Sequence, residues 1–205
     1  SFRHLDHQAQ LTIDFDSKNP SENNLQIGFT FDEMADRVEG LLKSIGLTKN
    51  FASIVYAVGH GATSVNNTHY AAYDCGACSG KPGSVNAKVI AYMANHPEVR
   101  NILRNKGIDI PASTQFLGAI HDTTRDEIKF YGQDVLSAVN AQNHRKNIEV
   151  FEKALALNAK ERSRRFETIK THQSLQEVHR RVKRRSVSLF EPRPELNHAT
   201  NAFAI

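Results

Sequence analysis

Residues 30–46 carry the clearest periodic signal in the chain. Met34, Val38, Leu41, Leu42 and Ile45 recur at helical spacing. Thr30 precedes them with Glu33 three positions on, which is a capping box, and Gly46 follows as a stop. A helix is therefore predicted between Thr30 and Gly46. The period then changes. Ser53-Ile-Val-Tyr-Ala-Val58 is a continuous apolar run rich in β-branched residues, as in a parallel-sheet strand buried on both faces, and it ends in Gly59-His60-Gly61.

Helical spacing returns at Asn86–Asn95 through Ala87, Val89, Ile90, Met93 and Ala94. A second helix is predicted from His96-Pro97 to Asn105, with Pro97 in its first turn and Gly107 beyond its end. Thr114–Ile120 reads as a second strand, ending at His121-Asp122-Thr123-Thr124, and Glu127–Tyr131 as a third. From Val135 to about Phe166 the pattern is helical, and so is Leu175–Arg185. Helices alternating with short apolar strands predict an α/β fold with a parallel core. The chain divides into a polar N-terminal segment (1–29), an α/β half-domain (30–134) and a helical, basic extension (135–205).

Composition narrows the functional classes. The 205 residues are 40% apolar and 23% charged, which describes a globular chain rather than a disordered one. Two cysteines are too few for a disulfide framework. The N-terminus SFRHLDHQAQ is polar and does not resemble a signal peptide, and no run of about 20 apolar residues would span a membrane. The first residue is not Met and the last five are NAFAI, so a fragment of a longer protein is expected. The net charge of +4 is uneven: residues 160–185 hold ten Lys/Arg against three Glu. Any anionic partner is thus a question for that segment alone.

The chemistry concentrates in GHGATSVNNTHYAAYDCGACSGKPG, residues 59–83, which holds both cysteines and five of the eleven glycines. His60 follows a predicted central strand, at the sheet edge where α/β proteins bind ligands. Cys75 and Cys78 form a C-x-x-C. Imidazole and thiolate are ligands that zinc favours, and a catalytic zinc needs three protein ligands and an open position. Asn66, Asn67 and Asp74 could hydrogen-bond such ligands. The residue types alone leave the set open, with Cys78, His69, His121 and Asp74 as further candidates. They also leave open a plain loop histidine and a lone C-x-x-C without metal. GKPGS lacks the spacing of a phosphate-binding P-loop.

GHGATSVNN, AAYDCGAC, NAKVIAYMANHPEVR, GIDIPASTQFLGAIHDTTRDEI, ALNAKERSRRFE and RPELNHATNAFAI resemble the DabA-type proteins, large subunits of inorganic carbon transporters. The resemblance runs from about residue 30 to the end. It implies a zinc site like that of β-type carbonic anhydrases, built from Cys, Asp, His and Cys, in which His60 and Cys75 are the last two ligands. The first Cys and the Asp belong to an upstream C-x-D motif that this chain lacks. Cys78 lies in the motif without being a ligand, and Asp74 and His121 are candidates for supporting roles. Where the family has an HNTC-type segment, this chain has His121-Asp122-Thr123-Thr124, with no cysteine at position 124.

The resemblance further implies a sheet like that of β-type carbonic anhydrase and Zn2+ as cofactor. Its substrates would be CO2 and bicarbonate, and its partner an integral membrane subunit of the proton-translocating type (DabB-like). It places the protein peripherally on the cytoplasmic face of the cell membrane. Two other readings stand beside it. One is a structural zinc or dithiol module without catalysis. The other is an anionic surface or nucleic acid bound through residues 160–185. No aromatic stacking platform accompanies those charges, so nucleic acid is not expected.

Overall fold

The computed structural model describes residues 13–18, 20–63 and 81–191. The expected ligand Cys75 and the candidates Asp74, Cys78 and His69 fall in 64–80, outside the described residues. In chain order the elements are β1 (Ser21–Glu22), β2 (Leu25–Gln26), α1 (Phe31–Ser44), β3 (Ile54–Gly61), α2 (Ser84–Asn95), α3 (Pro97–Asn105), β4 (Gln115–Asp122), β5 (Glu127–Tyr131), a 3-10 turn (Gln133–Val135), α4 (Ala138–Ser163) and α5 (Leu175–Arg185). They form two compact units. One comprises Ser1–Ala52 and Val89–Thr114, the other Ser53–Lys88 and Gln115–Ile205.

The first unit is built on α1 and α3. Thr30 Oγ1 accepts from the Glu33 amide and the Glu33 carboxylate accepts from the Thr30 amide at 2.8 Å, so the predicted capping box forms. Gly46 takes φ +72°, the left-handed stop that a helix end favours. Met34, Ala35, Val38 and Leu42 of α1 and Val99 and Leu103 of α3 are buried. Arg100 donates to the carbonyls of Ala94, Pro111 and Thr114 and so ties the end of this unit to α3. The polar segment before α1 holds the two-residue pair β1–β2, which turns at Asn23 and Asn24, both at positive φ.

The second unit is organised by a three-stranded sheet in the order β3-β4-β5. β3 and β4 run parallel, Ile54 opposite Gln115 through Gly61 opposite Asp122. β5 is antiparallel to β4, so the sheet is mixed rather than wholly parallel. The reason is length. Four residues, Thr123 to Asp126, connect β4 to β5, whereas a parallel return needs a crossover of a dozen or more. β3 also continues three residues beyond the expected end at Val58, because Gly59, His60 and Gly61 stay in the ladder with Ile120, His121 and Asp122.

Side chains alternate across the sheet. Tyr56, His60, Leu117 and His121 share the face toward α4. There Tyr56, Phe130, His144 and Phe151 form an aromatic cluster. Ala57, Gly59, Gly118 and Ile120 share the other face, where the chain entering α2 passes very close. A Cβ on Gly59 would lie 2.3 Å from the Gly83 carbonyl oxygen, and one on Gly118 would lie 3.0 Å from that of Ala87. α5 folds back on the end of α4, burying Ala159, Ile169, Val178 and Val182 beside Phe166.

Candidate functional site at the carboxyl ends of β3 and β4

His60 and His121 are direct neighbours at the carboxyl ends of the two parallel strands. The expected placement of His60 at a sheet edge therefore holds, although the residue is inside the strand rather than just past it. Beyond β4 the chain closes over the end of β3. The Thr123 amide donates to the Gly61 carbonyl at 2.8 Å, and the Thr123 hydroxyl lies 3.1 Å from the same oxygen. His60 Nε2 lies 3.1 Å from that hydroxyl oxygen. A hydroxyl has one proton. It goes either to the Gly61 carbonyl, with His60 Nε2 donating to Thr123, or to His60 Nε2 itself.

Asp122 is the anchor of this closure. Its Oδ1 accepts from the amides of Thr63, Thr124 and Arg125 at 3.3, 3.2 and 3.3 Å, and its Oδ2 accepts from the Thr63 hydroxyl. The Thr124 hydroxyl lies 2.7 Å from Asp122 Oδ1 and 2.5 Å from the Thr63 carbonyl. Asp122 and Thr124 are buried. This carboxylate holds the chain at Thr63, where the segment with Asp74, Cys75 and Cys78 begins.

His121 is held differently. Its Nε2 lies 3.2 Å from Asp126 Oδ1, and the same oxygen accepts from Asn158 Nδ2 at 2.8 Å. Arg162 pairs with Asp126 Oδ2. Burial opposes ionisation of Asp126, but the bond to His121, the Arg162 charge and the Asn158 amide outweigh it and hold its carboxyl below the usual aspartate value. Asp126 takes φ +50° in the β4–β5 turn, which its short polar side chain tolerates. The turn is also bound by α5. His179 Nε2 donates to the Arg125 carbonyl at 2.9 Å and Lys183 pairs with Glu127.

Among the predicted site residues, His60 and His121 are thus brought together, while Asp74, Cys75 and Cys78 are outside the described residues. Thr123, Asp126, Asn158 and Arg162 were not legible as site residues. The nearest signal was the polar run His121-Asp122-Thr123-Thr124 at a strand end. Among the described residues, no group of three or more His, Cys, Asp or Glu gathers to hold a metal ion. No helix among them is long and apolar enough to cross a membrane.

A family model described as "Probable inorganic carbon transporter subunit DabA" matches residues 2–205. The chain belongs to the DabA family. It is 66% identical over 205 residues to a relative of that name from Azotobacter vinelandii, covering 100% of this chain and 24% of the relative. A relative from Nitrosospira multiformis is 60% identical over 208 residues, covering 100% of this chain and 23% of the relative. One from Methylococcus capsulatus is 45% identical over 178 residues, covering 87% and 17%. The chain spans about a quarter or less of the length of these relatives. No solved structure matches it.

The basic segment is laced with ion pairs. Arg164 pairs with Glu161, Arg180 and Arg181 pair with Glu177, and Arg185 lies over the Phe166 ring and pairs with Glu191. Much of the local charge is thereby answered within the fold.

Proposed function

We propose that this chain supplies half of a zinc centre in a transporter subunit that converts CO2 to bicarbonate. The observation that carries the reading is His60, set at the carboxyl end of a parallel strand beside His121 in a chain of the DabA family. The donors fit zinc in kind, an imidazole from His60 and a thiolate from Cys75, and two further ligands come from elsewhere in the longer protein. Bound zinc supplies hydroxide from water near neutral pH. The chain's own residues prepare the site. Thr123 orients the His60 ring, Asp122 fixes the start of the segment that carries Cys75, and Asp126 orients His121.

The sheet is then part of one like that of β-type carbonic anhydrase. The protein sits peripherally on the cytoplasmic face of the cell membrane, against an integral membrane subunit of the proton-translocating type. Coupling to an ion gradient through that partner makes hydration one-way. The C-x-x-C spacing of Cys75 and Cys78 favours one competing reading, a structural zinc or dithiol module. The deciding experiment measures zinc content of the full-length protein, and CO2-dependent bicarbonate accumulation in cells that also hold the membrane partner. Zinc and accumulation both lost in His60→Ala support the proposal. Zinc bound by a protein that hydrates no CO2, even with its partner, moves the structural module ahead.

A further inference from the structure

α4 packs one face on the sheet and leaves another to solvent. His144 and Phe151 join the aromatic cluster on the sheet, and Ala159 is buried against α5. Val139, Val150 and Leu157 point away from these residues and are 69%, 68% and 48% exposed. Their spacings, 11 and 7 residues, are close to three and two whole turns, so the three side chains fall on one line along the helix. Ala154, also exposed, lies in the row between Val150 and Leu157. Single apolar residues scattered over a surface need no explanation, but an aligned row does.

Helix formation does not call for this row. Valine is branched at Cβ and loses side-chain freedom in a helix, so it is a weaker helix former than the Lys, Glu and Ala at other exposed positions of α4. Two exposed valines stabilise the protein only through burial against something else. Charge marks one border of the row. Lys146 and Lys153 are exposed, stand seven residues apart and lie on the same side of Val150 and Leu157, which are seven apart themselves. An apolar seam edged by charges at the same heptad spacing is how one helix receives another. Glu149 lies further round on the lysine side, and on the opposite border Glu161 pairs with Arg164.

We infer that an amphipathic helix from the part of the protein outside these 205 residues packs along α4 over Val139, Val150 and Leu157, with carboxylates facing Lys146 and Lys153. The row is ~27 Å long, a length that a second helix covers and a turn or a small molecule does not. This chain spans 24% of its Azotobacter vinelandii relative, so a protein of that length has ample chain to supply the helix. A helix in the same polypeptide meets α4 at an effective concentration of roughly millimolar, which a second copy does not match. α4 also holds Asn158 and Arg162, which bond Asp126. The incoming helix therefore braces the element that fixes Asp126 and, through it, His121. The packing follows from α4 alone and stands whether or not zinc binds.

Carbodiimide cross-linking of the full-length protein, read by mass spectrometry, tests the inference, because this reagent joins lysines to carboxylates that they touch. Lys146 and Lys153 are expected to couple to Asp or Glu residues of the same chain outside these 205. Isotope-labelled and unlabelled copies are mixed to tell links within a chain from links between chains. Coupling confined to residues 1–205, coupling between copies, or no coupling at either lysine would overturn the inference. A variant gives an independent reading. Lysine is a better helix former than valine, so on a face left to water Val150→Lys keeps or raises the melting temperature. Under a packed helix it buries a charge, and the melting temperature of the full-length protein is expected to fall by several degrees. An unchanged or higher value would refute the packed helix.

Discussion

His60 and His121 stand in register on adjacent parallel strands, and each imidazole has a different anchor. His60 bonds Thr123, a neutral hydroxyl that can be displaced, whereas His121 bonds Asp126, a carboxylate locked by Arg162 and Asn158. Of the two histidines side by side on one face, it is His121 whose ring bonds a buried charge.

That difference predicts the outcome of metal analysis. In the full-length protein, His60→Ala and Cys75→Ser should each reduce zinc to background. Cys78→Ser and His121→Ala should leave zinc near stoichiometric. Elemental analysis after dialysis is the measurement, and retained zinc in His60→Ala would remove that residue from the ligand set.

Asp126 should govern acid stability. Its folded carboxyl titrates below the ordinary value, so the stability it contributes is complete above about pH 4, the unfolded aspartate value, and is lost as pH falls through the lower folded value. Asp126→Asn leaves Arg162 without its buried counter-charge, at a cost of about 3–5 kcal/mol near neutral pH. Denaturant unfolding from pH 7 down to pH 2 should show the two proteins converging in the acid range. A constant gap across that range would count against the assignment.

Burial depresses the His144 imidazole below its ordinary value. Its Nε2 donates to Gln133 at 3.1 Å, and Nδ1 lies 2.9 Å from the Tyr56 hydroxyl, the neutral arrangement. The corresponding stability is full above about pH 6.5 and is lost as pH falls through the lower folded value. His144→Gln should flatten the dependence of melting temperature on pH below 6.5, read by calorimetry.

Two glycines should respond to alanine in opposite ways. At Gly59 a methyl group meets the Gly83 backbone, which has no flexible atom to yield, so Gly59→Ala should destabilise by about 1–3 kcal/mol or more. Gly40 lies exposed within α1 with nothing within 4 Å of a Cβ, so Gly40→Ala should stabilise by about 0.5–1 kcal/mol. Thermal unfolding of the two variants settles both signs.

Much of this arrangement was legible before the structure. The Thr30–Glu33 cap, the Gly46 stop, Pro97 in the first turn of α3 and the apolar run of β3 are local signals, written within a few residues of where they act. The antiparallel direction of β5 was legible but missed: the few residues between the two predicted strands are too short for a parallel crossover. The anchor of His121 was not legible at all. Asp126 sits in a turn, and Asn158 and Arg162 lie more than 30 residues further on, in a helix whose pattern says only that it is helical.

The sequence by itself determined the kinds and approximate positions of the main elements from α1 onward, since capping, helical periodicity and β-branched runs act through neighbouring backbone groups. Tertiary structure alone decided that His60 and His121 stand side by side and that Thr123 and Asp126 hold them differently. Those relationships depend on residues far apart along the chain, 63 positions between His60 and Thr123 and 32 and 36 between Asp126 and its partners Asn158 and Arg162, and only folding brings such residues together.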